Sequence, residues 1–194
     1  MKIPLMHIEL LNYELLETVR FWRNKPRIRK NMISTAEISA SDQLRWFEEL
    51  QKDKQRQYFV FYQDLRPAGM LYFTDISETE CSWGCYLGED AVWPGSGLLL
   101  EVAALDFAFN ILRVERLNAE VFEFNIPAIK MHQLFEYSHQ DTQADQHYRD
   151  GVSCPLLKYF YLRKDWLEKR EIVLEKLPKQ LREATKQLIF KLTT

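Results

Sequence analysis

The order of apolar and polar positions predicts alternating strands and helices along most of the chain. Met6 to Leu11 reads as a strand, and Leu15, Val19 and Trp22 fall on one stripe of a helix over 14–24. Pro26 ends that helix, since its ring removes a backbone donor. A loop to Ala40 leads to a second helix, capped by Ser41 and stopping near Lys54, with Leu44, Trp46, Phe47 and Leu50 spaced for burial. Tyr58 to Tyr62, a turn at Asp64 to Pro67, and a return strand from Ala68 to Ile76 make a hairpin. Cys81 to Gly88 adds a third strand. A helix follows from about Gly97 to Leu112, with Leu98, Val102, Leu105, Phe109 and Leu112 as its core stripe. Arg116 to Phe124 alternates as a strand, Asn125 opens a helix to about Tyr137, a short strand is expected at 147–150, and Leu156 to Leu162 is another. From Asp165 onward, Trp166, Leu167, Ile172, Leu174, Leu177, Leu181, Leu188, Ile189 and Leu192 among many charges predict two amphipathic helices. The expected organisation is one domain over 1–164 and a helical extension over 165–194, packed on the domain or on the second subunit of a homodimer.

One junction carries candidate chemistry. Tyr86 and Leu87 end a strand, and Val92-Trp-Pro-Gly95-Ser-Gly97 forms a turn that opens an amphipathic helix. N–H groups in such a turn and in a first helical turn have no internal partners, so a pyrophosphate can satisfy them and gain from the helix dipole. A dinucleotide fold would need a third glycine and an acidic residue after a second strand, and Ser96-Gly97-Leu98-Leu99-Leu100 supplies neither. No Gly-Lys-Ser/Thr follows, which excludes a Walker loop.

Composition narrows the ligand. The 194 residues are 46% hydrophobic and 28% charged, enough for a sizeable core in one domain. A formal net charge of -2 argues against nucleic acid, while basic residues between Arg20 and Lys30 remain available for a phosphorylated ligand. There is no apolar run of about eighteen residues, so no membrane role is expected. The Met-Lys-Ile-Pro-Leu start lacks a signal-peptide core. Cys81, Cys85 and Cys154 form no Cys-x-x-Cys pair and fit a reducing compartment, hence a cytoplasmic protein.

The element order, the turn at Val92-Trp-Pro-Gly95-Ser-Gly97 and the helix start Asn125-Ile-Pro-Ala128-Ile-Lys-Met-His132 resemble the GNAT superfamily of acyl-CoA N-acetyltransferases over about 6–162. The turn is similar to that family's Gln/Arg-x-x-Gly-x-Gly/Ala, with Val92 at the Gln/Arg position and Trp93 where glycine is frequent. The helix start is similar to its Asn-x-x-Ala-x-x-x-Tyr, with His132 at the tyrosine position. The resemblance implies an α/β (α+β type) GNAT fold, a mixed, mostly antiparallel sheet of six to seven strands flanked by helices. It also implies acetyl-CoA as cosubstrate and no metal. Cofactor contacts carried over are Tyr86, Leu87, Val92, Trp93, Gly95, Ser96, Gly97 and Asn125. Asn125 is expected also to cap its helix, and the backbone at Tyr86 and Leu87 to pair with the pantetheine arm as an added strand.

A narrower resemblance lies in Phe21-Trp-Arg-Asn24, Met32, the helix at 42–50, Pro67-Ala-Gly69 and Phe107-Ala-Phe109-Asn-Ile-Leu112. These are similar to the N-acetyltransferases of the pseudaminic acid pathway, which acetylate the 4-amino group of a UDP-linked 4-amino-4,6-dideoxy sugar for flagellin glycosylation. That family's nucleotide-sugar contacts map onto Arg23, Gln43 and Thr74. Its base maps onto Glu120, acting through water, and its thiolate-protonating acid onto His132.

Acetyl transfer to an amine needs a neutral nucleophile, a polarised carbonyl and a proton for the leaving thiolate. Proximity at ~3–3.5 Å supplies much of the rate, and acid and base groups about 10²–10⁴-fold more. Each residue also has a plainer reading: Arg23 as a surface ion pair, Glu120 as a strand carboxylate, His132 as a helix histidine facing water or carboxylates. Glu123 is a rival to Glu120 but points to the other strand face. Ser82 could position water. A metal set of His132, His139 and His147 with Asp141 or Asp145 matches no short ligand motif. A polyamine or protein N-terminal acetyltransferase, and a non-catalytic acyl-CoA-binding domain, are the competing functions.

Overall fold

A computed structural model describes residues 2–140, 147–149 and 151–192. Its centre is an eight-stranded sheet in the order β10-β1-β2-β3-β4-β5-β9-β6, larger than the six to seven strands expected. The strands are β1 (Met6–Leu10), β2 (Gln57–Gln63), β3 (Arg66–Thr74), β4 (Glu80–Leu87), β5 (Arg116–Phe122), β6 (Ser138–His139), β9 (Leu156–Leu162) and β10 (Ile189–Lys191). A separate two-stranded ribbon joins β7 (Tyr148–Arg149) to β8 (Val152–Ser153). Neighbours β1 to β4 are antiparallel, β4 and β5 are parallel, and β5 and β9 are antiparallel.

Strand alternation sorts side chains onto two faces. Phe59, Phe61, Leu71, Phe73, Cys81 and Trp83 face a core built with α4 (Ser96–Asp106), α6 (Arg163–Glu175) and α7 (Lys179–Gln187). Val60 and Met70 face a smaller core with Trp22, Ile28, Phe47 and Leu50, supplied by α1 (Leu16–Asn24), α2 (Pro26–Arg29) and α3 (Ala40–Leu50). The last helix, α5, spans Ile126–Leu134.

Four local expectations change. The cap of α3 is Ser39, whose hydroxyl accepts from the Asp42 N–H at 3.1 Å, while Ser41 lies inside the helix. The helix after the Gly turn is not amphipathic: Leu99 to Leu105 are all buried, because α4 lies between the sheet and the C-terminal helices. It loosens into a π-helical turn at Phe107–Leu112. Finally, Ile189 continues no helix; it enters β10, which runs parallel to β1 with His7 opposite Ile189. No helix among the described residues is long and apolar enough to cross a membrane.

One irregularity matters for function. β4 and β5 are in register only at Glu80–Arg116, Cys81–Leu117 and Ser82–Asn118. β4 continues to Leu87 and is paired with β3 from Ser82 onward, so its last five residues are paired on the β3 side and unpaired on the β5 side. The two parallel strands part there and leave a groove.

Candidate active site

The Trp22-Arg23-Asn24 element anchors one wall of a cavity. Trp22 is fully buried and lies on Gly88, where a Cβ would come within 2.1 Å of its ring, and its indole N–H donates to Glu89 at 2.6 Å. Asn24 pins the following loop by accepting from the Ile38 N–H at 2.8 Å and donating to the Ile38 carbonyl at 2.9 Å. Between them, Arg23 donates through Nη2 to the Ser34 carbonyl at 2.9 Å, while its buried Nη1 has no hydrogen-bond partner among the described residues. Burial lowers the Arg23 pKa, opposed by Tyr86, Tyr72 and Tyr58. Arginine stays charged regardless. Four other cations of this segment are committed: Arg20 to Glu17, Arg29 to Glu37, and Lys25 and Arg27 to the carbonyl of Gly88 just after β4. Arg23 is the one of these turned into the cavity.

The cavity holds about 700 Å³ and brings together Arg23, Gln43, Thr74, Ser82, Tyr86 and Glu120 from five elements. Gln43 is buried, and the Thr74 hydroxyl donates to Asp75 at 3.0 Å. Thr74 and Ser82 sit opposite each other across β3 and β4. Tyr58 stacks on Tyr72 at 5.1 Å, with Trp46 edge-on to Tyr58 at 4.9 Å, giving a flat aromatic wall. Gly84 makes that wall fit, since a Cβ there would meet the Tyr72 hydroxyl at 2.3 Å. Burial raises the pKa of Tyr58, Tyr72 and Tyr86, so all three hydroxyls stay neutral. Glu120 is exposed at the cavity wall, and Glu123 lies just beyond the end of β5.

The turn before α4 sits beside the groove. Gly95 has φ +93°, a left-handed conformation that glycine adopts freely. The first helical bond runs from the Leu99 N–H to the Gly95 carbonyl, so the Gly97 and Leu98 N–H groups precede the ladder. Around Gly97 space is open, the nearest atom to a Cβ there being Met131 Sδ of α5 at 4.0 Å. Trp93 and Ser96 turn their side chains inward. Trp93 joins the core, and the Ser96 hydroxyl accepts from Gln63 at 2.5 Å and donates to the Trp93 carbonyl at 2.5 Å. Val92 and Leu87 also pack against the core. With Trp93 and Ser96 turned inward, the turn presents backbone there, which suits a pyrophosphate and an amide-bearing arm. Asn125 precedes α5 but makes no side-chain cap bond.

His132 lies on α5 and is not among the residues that line the cavity. It faces the interior, 3% exposed, with Nδ1 3.2 Å from Glu101 Oε1. Trp83 lies edge-on to its ring at 6.1 Å and also lines the cavity, so this indole stands between the two regions. Of the other metal candidates, His139 lies against Tyr159 and His147 against Phe122, and Asp141 and Asp145 fall outside the described residues.

This geometry agrees with comparison to known proteins. The acetyltransferase (GNAT) domain family matches residues 7–135. An acetyltransferase PseH of Campylobacter jejuni subsp. jejuni serotype O:2 is 32% identical over 146 residues, covering 75% of this chain and 91% of the relative. The chain belongs to the GNAT acetyltransferase family. Among solved structures, C. jejuni N-acetyltransferase PseH in complex with acetyl coenzyme A superposes with TM-score 0.59 at 24% identity, covering 80% of this chain and 98% of that one. The Vibrio cholerae spermidine N-acetyltransferase with CoA and spermine gives TM-score 0.79 at 14% identity, covering 84% and 98%. The fold and both resemblances read from the sequence are borne out, and the protein is an N-acetyltransferase by family.

Two features of this GNAT chain escaped the sequence reading. Tyr58, Tyr72 and Trp46 look like ordinary core aromatics in sequence, and only the register of β2 with β3 and the packing of α3 on them bring these rings to the Arg23 side. Glu101 did leave a signal, as a single carboxylate in the apolar run Leu98-Leu-Leu-Glu-Val-Ala-Ala-Leu105. A charge kept there, fully buried, needs a partner or a task.

Proposed function

We propose that this chain is an acetyl-CoA-dependent N-acetyltransferase acting on the 4-amino group of a UDP-linked 4-amino-4,6-dideoxy sugar, by direct transfer in a ternary complex. Its place is the pseudaminic acid pathway, which serves flagellin glycosylation, and its three free cysteines fit a reducing cytoplasm. The observation that carries the reading is Arg23: a half-buried guanidinium whose buried Nη1 is unpartnered among the described residues, beside a stacked Tyr58–Tyr72 wall. An unpaired buried donor is costly, and a diphosphate with a flat base beside it would satisfy both features.

Acetyl-CoA supplies the acetyl group as a thioester. The Gly97 and Leu98 N–H groups and the open edge of β4 hold its pyrophosphate and pantetheine arm. Arg23, Gln43 and Thr74 orient the acceptor, Glu120 takes a proton from its amine through water, and His132 gives one to the leaving sulfur. A homodimer through the outward Leu167 and Ile172 of α6 completes the proposal.

A polyamine acceptor is the second reading, favoured by three carboxylates on the cavity, Asp42, Asp75 and Glu120. Two of them are already engaged, Asp42 by the Ser39 hydroxyl at 2.7 Å and Asp75 by Thr74. Inhibition by UDP separates the readings. Competition between UDP and the amine acceptor is expected; an acceptor site indifferent to UDP and blocked by spermine would overturn the nucleotide-sugar assignment.

A further inference from the structure

We infer that Glu101 is a positioning residue for His132, holding Nδ1–H against its carboxylate so that Nε2–H is the proton delivered to the leaving thiolate. The inference rests on the acid role proposed for His132.

Glu101 is fully buried on α4. A buried carboxylate is costly unless paired, and leucine would fill this helix position without that cost. Its Oε1 lies 3.2 Å from His132 Nδ1, and the Tyr137 hydroxyl also lies against the carboxylate. The groups facing the pair are Cys85 on β4, Tyr137 after α5, and Trp83 and Tyr159 around the ring. Burial, and the Glu101 charge itself, hold the Cys85 thiol and the Tyr137 hydroxyl protonated. None of these neighbours carries a positive charge, so His132 is the one of them whose ring can present an N–H to Glu101 and bring a charge to it. A carboxylate that orients a histidine and stabilises its charged form is a recurring catalytic arrangement.

The balance is simple. As the amine nitrogen bonds to the carbonyl carbon, the C–S bond breaks and its electron pair stays on sulfur. Sulfur takes the Nε2 proton, Nδ1–H stays on Glu101, the amine proton leaves through Glu120 and water, and solvent restores the imidazolium.

Steady-state kinetics across pH on Glu101→Gln and His132→Gln test this. Glu101→Gln should move the alkaline limb of kcat to lower pH by about one unit or more, with KM for acetyl-CoA within about twofold of the parent. An unmoved limb in Glu101→Gln, with kcat lost in His132→Gln, overturns the role of Glu101 alone. Full kcat in His132→Gln overturns the acid role itself. Imidazole ¹⁵N spectra of the unsubstituted protein need no variant to fold: Nδ1 should carry a proton throughout pH 6–8, and a bare Nδ1 would overturn the inference.

Discussion

Ser82 is the last residue of β4 in register with β5, where it stands opposite Asn118. Beyond this pair β4 keeps its hydrogen bonds to β3 and offers a free edge towards β5, so an amide-bearing chain can add there as a short strand. The groove leads to the start of α4, where Gly97 faces Met131 of α5 across open space.

Gly97 should therefore separate ligand binding from folding. Gly97→Ala adds a methyl that meets only Met131 Sδ, at 4.0 Å, and should leave the thermal midpoint unchanged or slightly raised. Gly97→Leu should keep the fold but raise KM for acetyl-CoA about tenfold or more, a loss near 1.4 kcal/mol. Equal KM values for the two variants would remove the groove from the cofactor site.

Arg23 is tested at the acceptor end. Hydrogen bonds to charged groups contribute about 1.5–3 kcal/mol, so Arg23→Ala should raise acceptor KM roughly 10- to 100-fold with KM for acetyl-CoA little changed. Arg23→Lys should rescue poorly, because one ammonium cannot bond the Ser34 carbonyl and a ligand oxygen in the same fork geometry. Steady-state kinetics with each substrate varied in turn make the comparison.

Glu120 is exposed on β5, so Glu120→Gln should fold normally. As the proton acceptor its loss should lower kcat about 10²–10⁴-fold. A kcat within threefold of the parent would assign the role elsewhere.

Much of this was legible beforehand, for identifiable reasons. Strands β1 to β5 and β9 are bounded by turn residues and show on sequence because their alternation survives on a sheet covered by helices. The helix α4 lost its stripe because both its sides are buried, and no period remains when every position is apolar. Ile189 to Lys191 fits a helix in the sequence because Leu188, Ile189 and Leu192 suit either period; pairing with β1, nearly the whole chain away, decides for strand. At the site, the Trp22-Arg23-Asn24 motif was visible but its logic was not: Trp22 grips Gly88 and Asn24 grips Ile38, which leaves Arg23 facing the cavity. The Glu101–His132 contact joins residues on two helices, and no local pattern encodes it.

Stability should depend on pH through His7, which is buried in β1 and stacked on Tyr62 at 4.6 Å. Burial, then the nearby Lys191, lowers its pKa below the ordinary 6.5 despite Glu9. The unfolded chain then binds a proton that the folded chain resists, so stability is fully present above about pH 6.5 and is lost as pH falls through the depressed folded value. Relative to His7→Gln, the parent should lose up to about 1.4 kcal/mol per pH unit within that window. Urea midpoints of both proteins at pH 5, 6, 7 and 8 check this, and parallel curves would contradict it.

The central claim is the identity of the acceptor, and release of the CoA thiol by the purified protein tests it most directly. With acetyl-CoA and matched concentrations of a UDP-4-amino-4,6-dideoxy sugar, spermidine and short peptides, thiol release is expected with the UDP-amino sugar alone. Release with spermidine or peptide and none with the UDP-amino sugar would contradict it.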